Sequence, residues 1–142
     1  MVITNYQSEI PERLEKLIED EHIKYESEKG VSCNYSPFYF VATKQNIVVG
    51  ITTGYSCYAE IYIDDLVVLA KHRNNGIGKK MLEAIEEHFS GAGFDNINLV
   101  TNEFQSPDFY KKCGYTLEFV RQNKKNPRFN KYFFVKFFNN EA

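Results

Sequence analysis

Apolar positions near the start of the chain recur at helical spacing. Ile10, Leu14, Leu17 and Ile18 predict a helix over residues 9–28, with Pro11 in its first turn and Gly30 at its end. Three runs rich in aromatic and β-branched residues follow, over 38–43, 47–55 and 59–69. The turns between them fall at Lys44-Gln45-Asn46 and near 56–58, so the three strands form an antiparallel meander. The period then changes to a helical one. Ile77, Met81, Leu82, Ile85 and Phe89 make one stripe within 76–90, and Gly91 and Gly93 stop it. A strand over 97–101 completes a strand-helix-strand unit, whose two strands must run parallel. A short helix begins at Ser106 as N-cap with Pro107 in its first position, and Gly114 lies just past its end. Two strands, 115–122 and 132–138, flank the polar loop 123–131. The fold class is α/β of the α+β kind: a mixed, mostly antiparallel sheet of six to seven strands, with a central parallel βαβ pair and flanking helices.

Composition narrows this picture without giving it a function. A chain of 142 residues is one domain of ordinary size. With 43% hydrophobic and 25% charged residues, four prolines and eight glycines, it is neither disordered nor collagen-like. Seventeen cationic against nineteen acidic side chains give a net charge of −2, so no general basic field exists to hold nucleic acid. Apolar runs such as 66–70 are far below the roughly 20 residues of a membrane helix. Residues 1–6 have neither a basic start nor an apolar stretch, so no signal peptide is read there. Cys33, Cys57 and Cys113 are odd in number and widely spaced, which makes a reducing cytoplasm the expected location. His22, His72 and His88 lack neighbouring ligands at metal spacing, so no metal site is expected.

The candidate chemistry lies where the third strand runs into the second helix, through Lys71-His72-Arg73-Asn74-Asn75-Gly76-Ile77-Gly78-Lys79-Lys80. Gly76 and Gly78 remove side chains that would keep a ligand off the backbone. The first amides of a helix lack intrahelical acceptors and sit at the positive end of its dipole, which suits a pyrophosphate. Lys71, Arg73, Lys79 and Lys80 surround the turn. Taken alone, the turn could be an ordinary helix start. It is not a P-loop, because Lys80 follows Gly78-Lys79 where Ser or Thr is needed. Nor is it the dinucleotide fingerprint, because Met81 stands where the third glycine belongs.

The arrangement R-x-x-G-x-G, from Arg73 through Gly76 to Gly78 after Leu66-Val67-Val68, resembles the acetyl-CoA motif of the GNAT superfamily of N-acetyltransferases. A second segment, Phe109-Tyr110-Lys111-Lys112-Cys113-Gly114-Tyr115, resembles the F-Y-x-K-x-G-[FY] signature of the same enzymes. Element order agrees over nearly the whole chain, which the resemblance treats as one acetyltransferase domain, 1–142. Phe104-Gln105-Ser106-Pro107 is similar to a subgroup with F-Q-A-P before the F-Y pair. Two positions depart from the pattern. Asn74 stands where many members have Gly, and Glu103 where an Asn is more frequent.

The resemblance implies transfer of an acetyl group from acetyl-CoA to a primary amine of a small molecule or a peptide. It implies that the strand ending at Val68 and its parallel neighbour splay apart after Val68, so that the pantetheine arm lies between them. Leu66, Val67, Val68, Arg73, Asn74, Asn75, Gly76, Ile77, Gly78, Lys79 and Tyr110 would then hold the cofactor, with the Val68 amide on the acetyl oxygen. Tyr110 becomes the general acid toward the leaving sulfur; otherwise it is one more core aromatic. Asp64 and Asp65 are the candidates for the base, with Glu60 in reserve. Adjacent strand residues face opposite sides unless a bulge intervenes, so one of the pair would face the amine. Tyr35, Phe38, Tyr55 and Tyr58 are cleft or core. The basic loop, with Arg121, Lys124, Lys125, Arg128 and Lys131, is a solvated face or an acceptor wall that favours acidic groups. The resemblance also brings a homodimer into view. Rival readings are a non-catalytic CoA-binding module of the same fold and a basic-loop module for RNA or protein.

Overall fold

A computed structural model describes residues 1–139, and the chain divides into two compact units, Met1–Cys33 and Asn34–Ala142. The first unit carries helix α1, Glu12–Glu28. It starts later than the periodicity predicts because Pro11 is extended (φ −63°, ψ 146°) and serves as N-cap rather than as part of the first turn. Gly30, at φ +72°, ends it.

The second unit holds β1 (Ser36–Lys44), β2 (Ile47–Cys57), β3 (Glu60–Val68), α2 (Ile77–Phe89), β4 (Asn96–Asn102), α3 (Pro107–Lys112), β5 (Thr116–Arg121) and β6 (Lys131–Phe137). Among the described residues these strands form one six-stranded sheet in the order β1-β2-β3-β4-β6-β5. Only β3 and β4 are parallel; every other neighbouring pair is antiparallel. Lys44 pairs with Ile47 across a two-residue loop, in which Gln45 and Asn46 both take positive φ (52° and 63°). That geometry matches the twist of a tight hairpin.

One face of the sheet carries the core. Ile61, Ile63, Ile97, Leu99 and Phe134 pack with Leu82 and Ile85 of α2 and with Tyr115. Phe38 and Phe40 extend this face, meeting Phe89 and His88 of α2 at ring-centroid distances of 5.0 and 5.7 Å. Burying each large aliphatic or Phe side chain stabilises by about 1.5–3 kcal/mol, so the stripe on α2 is sufficient reason for the helix to lie there. His88 is thus part of an aromatic cluster, and among the described residues no group of three His, Cys, Asp or Glu could hold a metal ion. Among the described residues Cys113 is a free thiol. No described helix is long and apolar enough to cross a membrane.

Between β2 and β3 the register slips: Thr53 faces Asp65 and Gly54 faces Ile63, so Asp64 is an extra residue in β3. A bulge of this kind bends the strand and sharpens its twist. Gly54 is the residue that permits it, because a Cβ there would collide with the Tyr62 carbonyl oxygen and come within 2.7 Å of the Phe38 ring. Gly54→Ala is expected to destabilise the protein by about 2–3 kcal/mol, the cost typical of an overpacked core. Urea denaturation checks this, and an unchanged midpoint would show that the bulge does not need glycine.

Candidate active site

The parallel pairing of β3 with β4 is short. It covers Glu60 with Asn96, Ile61 with Ile97 and Tyr62 with Asn98, and then stops. Beyond that point β3 follows β2 to Val68, while β4 follows β6 to Asn102. The two strands therefore part after Tyr62, two residues before the bulge at Asp64, and not after Val68 as the resemblance implies. The strand-edge groups on this side of the gap can be read from the ladder. Leu69 N–H donates to the Val49 carbonyl at 2.9 Å, so Val68 and Gly50 form a non-hydrogen-bonded pair. By the same alternation, the N–H and C=O of Leu66 and of Val68 point away from β2, toward the gap that β4 leaves. Arg73 Nε donates to the Val68 carbonyl at 3.0 Å, which leaves the Val68 N–H and both Leu66 groups facing it. Val67 pairs with Ile51, and its backbone is used by β2.

From Val68 the chain passes through a 3₁₀ turn, Ala70–His72, into the start of α2. Asn74 takes φ +65°, a left-handed conformation in which Asn is one of the few tolerated non-glycine residues. Asn75 Nδ2 donates to the His72 carbonyl at 3.3 Å and braces the turn. Gly76 is the N-cap at φ +77°, with nothing within 4 Å of where its Cβ would stand. The first intrahelical bond runs from Lys80 N–H to Gly76 C=O, so the amides of Ile77, Gly78 and Lys79 have no acceptor in their own helix. Lys71, Arg73, Lys79 and Lys80 are exposed and, among the described residues, in no ion pair. The turn is thus a row of amide donors without helical acceptors, flanked by cations, an arrangement that suits a phosphate-type anion.

The two glycines have different reasons to be there. Gly76 supplies a positive φ. Gly78 makes room for a side chain of α3, since its Cβ would stand 3.0 Å from Phe109 Cζ. The second sequence motif is therefore packed directly on the first. Next to Phe109, Tyr110 is half-buried, with ring centroids 5.1 Å from Phe109, 5.7 Å from Phe134 and 6.2 Å from Tyr115. Burial, with a smaller effect of the Cys113 thiol, pushes its phenol up to about 12. Tyr115, buried deeper, is also raised, and its hydroxyl has no hydrogen-bond partner among the described residues. The core and site readings of Tyr110 are compatible: it packs as a core aromatic beside the anion-binding turn.

The acidic residues separate more clearly than their spacing suggested. Asp64 and Asp65 are both exposed, because the bulge cancels the alternation that would have buried one of them. Asp65 Oδ2 accepts from Thr53 Oγ1 at 2.7 Å, a cross-strand anchor. The Asp64 carboxylate has no such partner among the described residues. Glu60 is engaged on both oxygens, accepting from Asn96 Nδ2 at 3.2 Å and Asn98 Nδ2 at 3.3 Å. Tyr62 also hydrogen-bonds to Glu60, which pushes its phenol up to about 12. Tyr35, Tyr55 and Tyr62 form a continuous aromatic row, with centroids 5.3 and 4.9 Å apart, whereas Phe38 belongs to the core face.

Glu103, which the sequence pattern marks as a departure, ties two loops together. Its N–H donates to the Asn130 carbonyl at 3.0 Å, and its carboxylate accepts from Asn130 Nδ2 at 3.3 Å. Asn123 N–H donates to Asn130 Oδ1 at 2.7 Å, so one asparagine orders the basic β5–β6 loop and docks it on the end of β4. Arg121 lies over the Phe133 ring at 5.2 Å and is part of that scaffold. None of these partners could be paired from sequence, because they are brought together by the sheet order.

The sequence pattern of the Acetyltransferase (GNAT) family matches residues 4–115. No curated protein matches the chain. Among solved structures, an acetyltransferase from Bacillus cereus is 25% identical with a TM-score of 0.76, over 94% of this chain and 97% of the other. An aminoglycoside 6′-N-acetyltransferase complexed with coenzyme A is 18% identical with a TM-score of 0.65, over 86% and 81%. The ribosomal-protein-S18-alanine N-acetyltransferase of Escherichia coli is 14% identical with a TM-score of 0.66, over 75% and 72%. With both motifs packed on each other beside a parted parallel strand pair, the chain belongs to the GNAT acetyltransferase family and is an acetyl-CoA-dependent acyltransferase.

Proposed function

We propose that this protein transfers the acetyl group of acetyl-CoA to the primary amine of a small molecule, with a peptide amine as the alternative acceptor, and that residues 1–142 act as one acetyltransferase domain. The observation that carries this reading is the free backbone edge of β3, the Leu66 and Val68 groups that face the gap, running on into the free amides of Ile77, Gly78 and Lys79. An extended amide-bearing arm would add to that edge as a further strand does, and its phosphates would end on the turn. Coenzyme A has both parts. The aminoglycoside enzyme with the same fold supports a small amine as acceptor, and the alanine N-acetyltransferase supports the alternative.

In this reading the chain's own groups divide the chemistry. Leu66 and Val68 orient the arm, and the Val68 N–H donates to the carbonyl oxygen on which negative charge develops. Arg73, Lys79 and the first amides of α2 neutralise the phosphates, with Asn74 and Gly76 holding the backbone in the required shape. Asp64, unpaired and set out by the bulge, takes the proton from the attacking amine; Asp65 is held by Thr53 and anchors the bulge. Tyr110 gives its proton to the leaving sulfur. A carboxylate deprotonates an ammonium only when the product is pulled on by the next step, so Asp64 acts in concert with attack.

Three outcomes follow. Tyr110→Phe should lower kcat by about 100-fold, the scale of a lost general acid, while leaving the dissociation constant for acetyl-CoA within threefold. Equal turnover would remove the acid role. The pH profile carries a sign. The active form of Tyr110 is the protonated phenol, present below its raised pKa of about 12 and lost above it. So kcat should not fall between about pH 7 and 10.5, and a fall centred near an ordinary phenol value of ~10 would contradict this. Asp64→Asn should reduce kcat/KM for the amine about 100-fold at neutral pH, less at alkaline pH where the amine deprotonates unaided. Asp65→Asn, assayed beside it, should cost far less; a larger loss in Asp65→Asn would exchange their roles.

A further inference from the structure

Lys136, on β6, is the one described residue whose side chain joins α2, α3 and the sheet at a single atom. Its Nζ lies 2.8 Å from Glu86 Oε1 of α2. It also donates to the Cys113 carbonyl at 3.3 Å, and Cys113 is the C-cap of α3. It stands 5.7 Å from the centroid of the Tyr115 ring. The pair is partly exposed, the side chains of Lys136 and Glu86 retaining 35% and 23% of their exposure. Nearby Gly114 takes φ +89°, a conformation that favours glycine, and its missing Cβ would stand 3.3 Å from Nζ.

The helix so held is six residues long, buries no residue completely, and carries Tyr110. At one side Phe109 seats it against Gly78. At its C-terminal end, where the helix dipole and the unsatisfied carbonyls are negative, the Lys136 ammonium is both hydrogen-bond donor and counter-charge. Tyr115 N–H closes the same end on the Tyr110 carbonyl at 3.0 Å. Phe109, Tyr110 and Cys113 pack against the core from one side, and Lys136 adds the polar tie at the C-terminal end; the height and tilt of the helix, and with them the position of the Tyr110 hydroxyl, follow from both.

We propose that Lys136, set by Glu86, is a positioning residue for the reaction: it fixes α3 so that the Tyr110 hydroxyl meets the leaving sulfur. The inference rests on the acid role assigned to Tyr110 above. Its mark is dependence on that hydroxyl. Lys136→Met keeps the volume of the stem and removes the ammonium; it should lower kcat by ~10-fold or more, since small misplacements of a reacting group cost this much. KM for acetyl-CoA should stay within twofold, because the phosphate turn is not touched, and Lys136→Arg should restore most of the rate.

The deciding measurement is a double-mutant cycle with Tyr110→Phe. If Lys136 acts through Tyr110, adding Lys136→Met to Tyr110→Phe lowers kcat no further. If the two losses multiply, Lys136 serves stability alone and the proposal is overturned. It is also overturned if Lys136→Met leaves kcat within twofold. A failure of the acid reading itself is seen separately, as an unchanged kcat in Tyr110→Phe alone, and removes the proposal with it. Glu86→Gln, which keeps the Cys113 contact and frees the ammonium, provides the same cycle should Lys136→Met not fold. It should show a smaller loss that likewise vanishes in the Tyr110→Phe background, and a loss that persists there counts against the proposal.

Discussion

Everything proposed for this protein depends on two strands ceasing to pair. β3 and β4 share three residue pairs and then separate, each following its other neighbour. Unpaired backbone groups inside a sheet are costly, because burial without a partner forfeits a hydrogen bond's worth of free energy per group. The fold tolerates the gap because the groups of Leu66 and Val68 remain open to a ligand. The bulge at Asp64, two residues past the parting, bends β3 where the two strands no longer pair. Gly54, across the ladder, is the residue without which the bulged strand could not approach β2.

The anion-binding turn and the Tyr110 helix are one packed unit. Gly78 lacks a side chain so that Phe109 can lie on the start of α2, and Lys136 holds the opposite end of α3 to α2 through Glu86. The backbone that would receive phosphates is thus in register with the phenol that would protonate sulfur. Neither contact requires a large core. The core proper, around Ile61, Leu82, Ile97 and Phe134, lies beneath both and supplies the rigid floor.

The basic loop illustrates how charge counting can mislead. Five cations over residues 121–131 are read from sequence as a solvated face or an acceptor wall. In the structure the loop is organised by Asn123, Asn126 and Asn130, and docked by Glu103, while Arg121 covers an aromatic ring. The most informative residues there are uncharged amides and one acid. Their side chains satisfy backbone donors that a polar loop otherwise leaves to water.

Much of the fold was legible because it depends on local terms. Periodicity located the helices and strands to within a few residues, the dipeptide Gln45-Asn46 marked the hairpin, and the strand-helix-strand order required a parallel pair. The phosphate turn was legible for the same reason: positive φ at Asn74 and Gly76, and free amides at a helix start, are properties of a few consecutive residues. Long-range contacts were not legible. The bulge lies where Gly54 faces Ile63 and Thr53 faces Asp65, which leaves Asp64 as an extra residue and both aspartates exposed. Gly78 was read as clearance for a ligand, and its clearance for Phe109 was not read. The pairings of Asp65 with Thr53, Glu103 with Asn130 and Lys136 with Glu86 link residues 12, 27 and 50 positions apart. Sequence by itself determined which segments are strands, helices and glycine-bearing turns, since propensity and capping act within a few residues. Only the tertiary structure decided where two strands part and which side chains fix the helix that carries Tyr110, since those depend on atoms that the chain brings together only when it has folded.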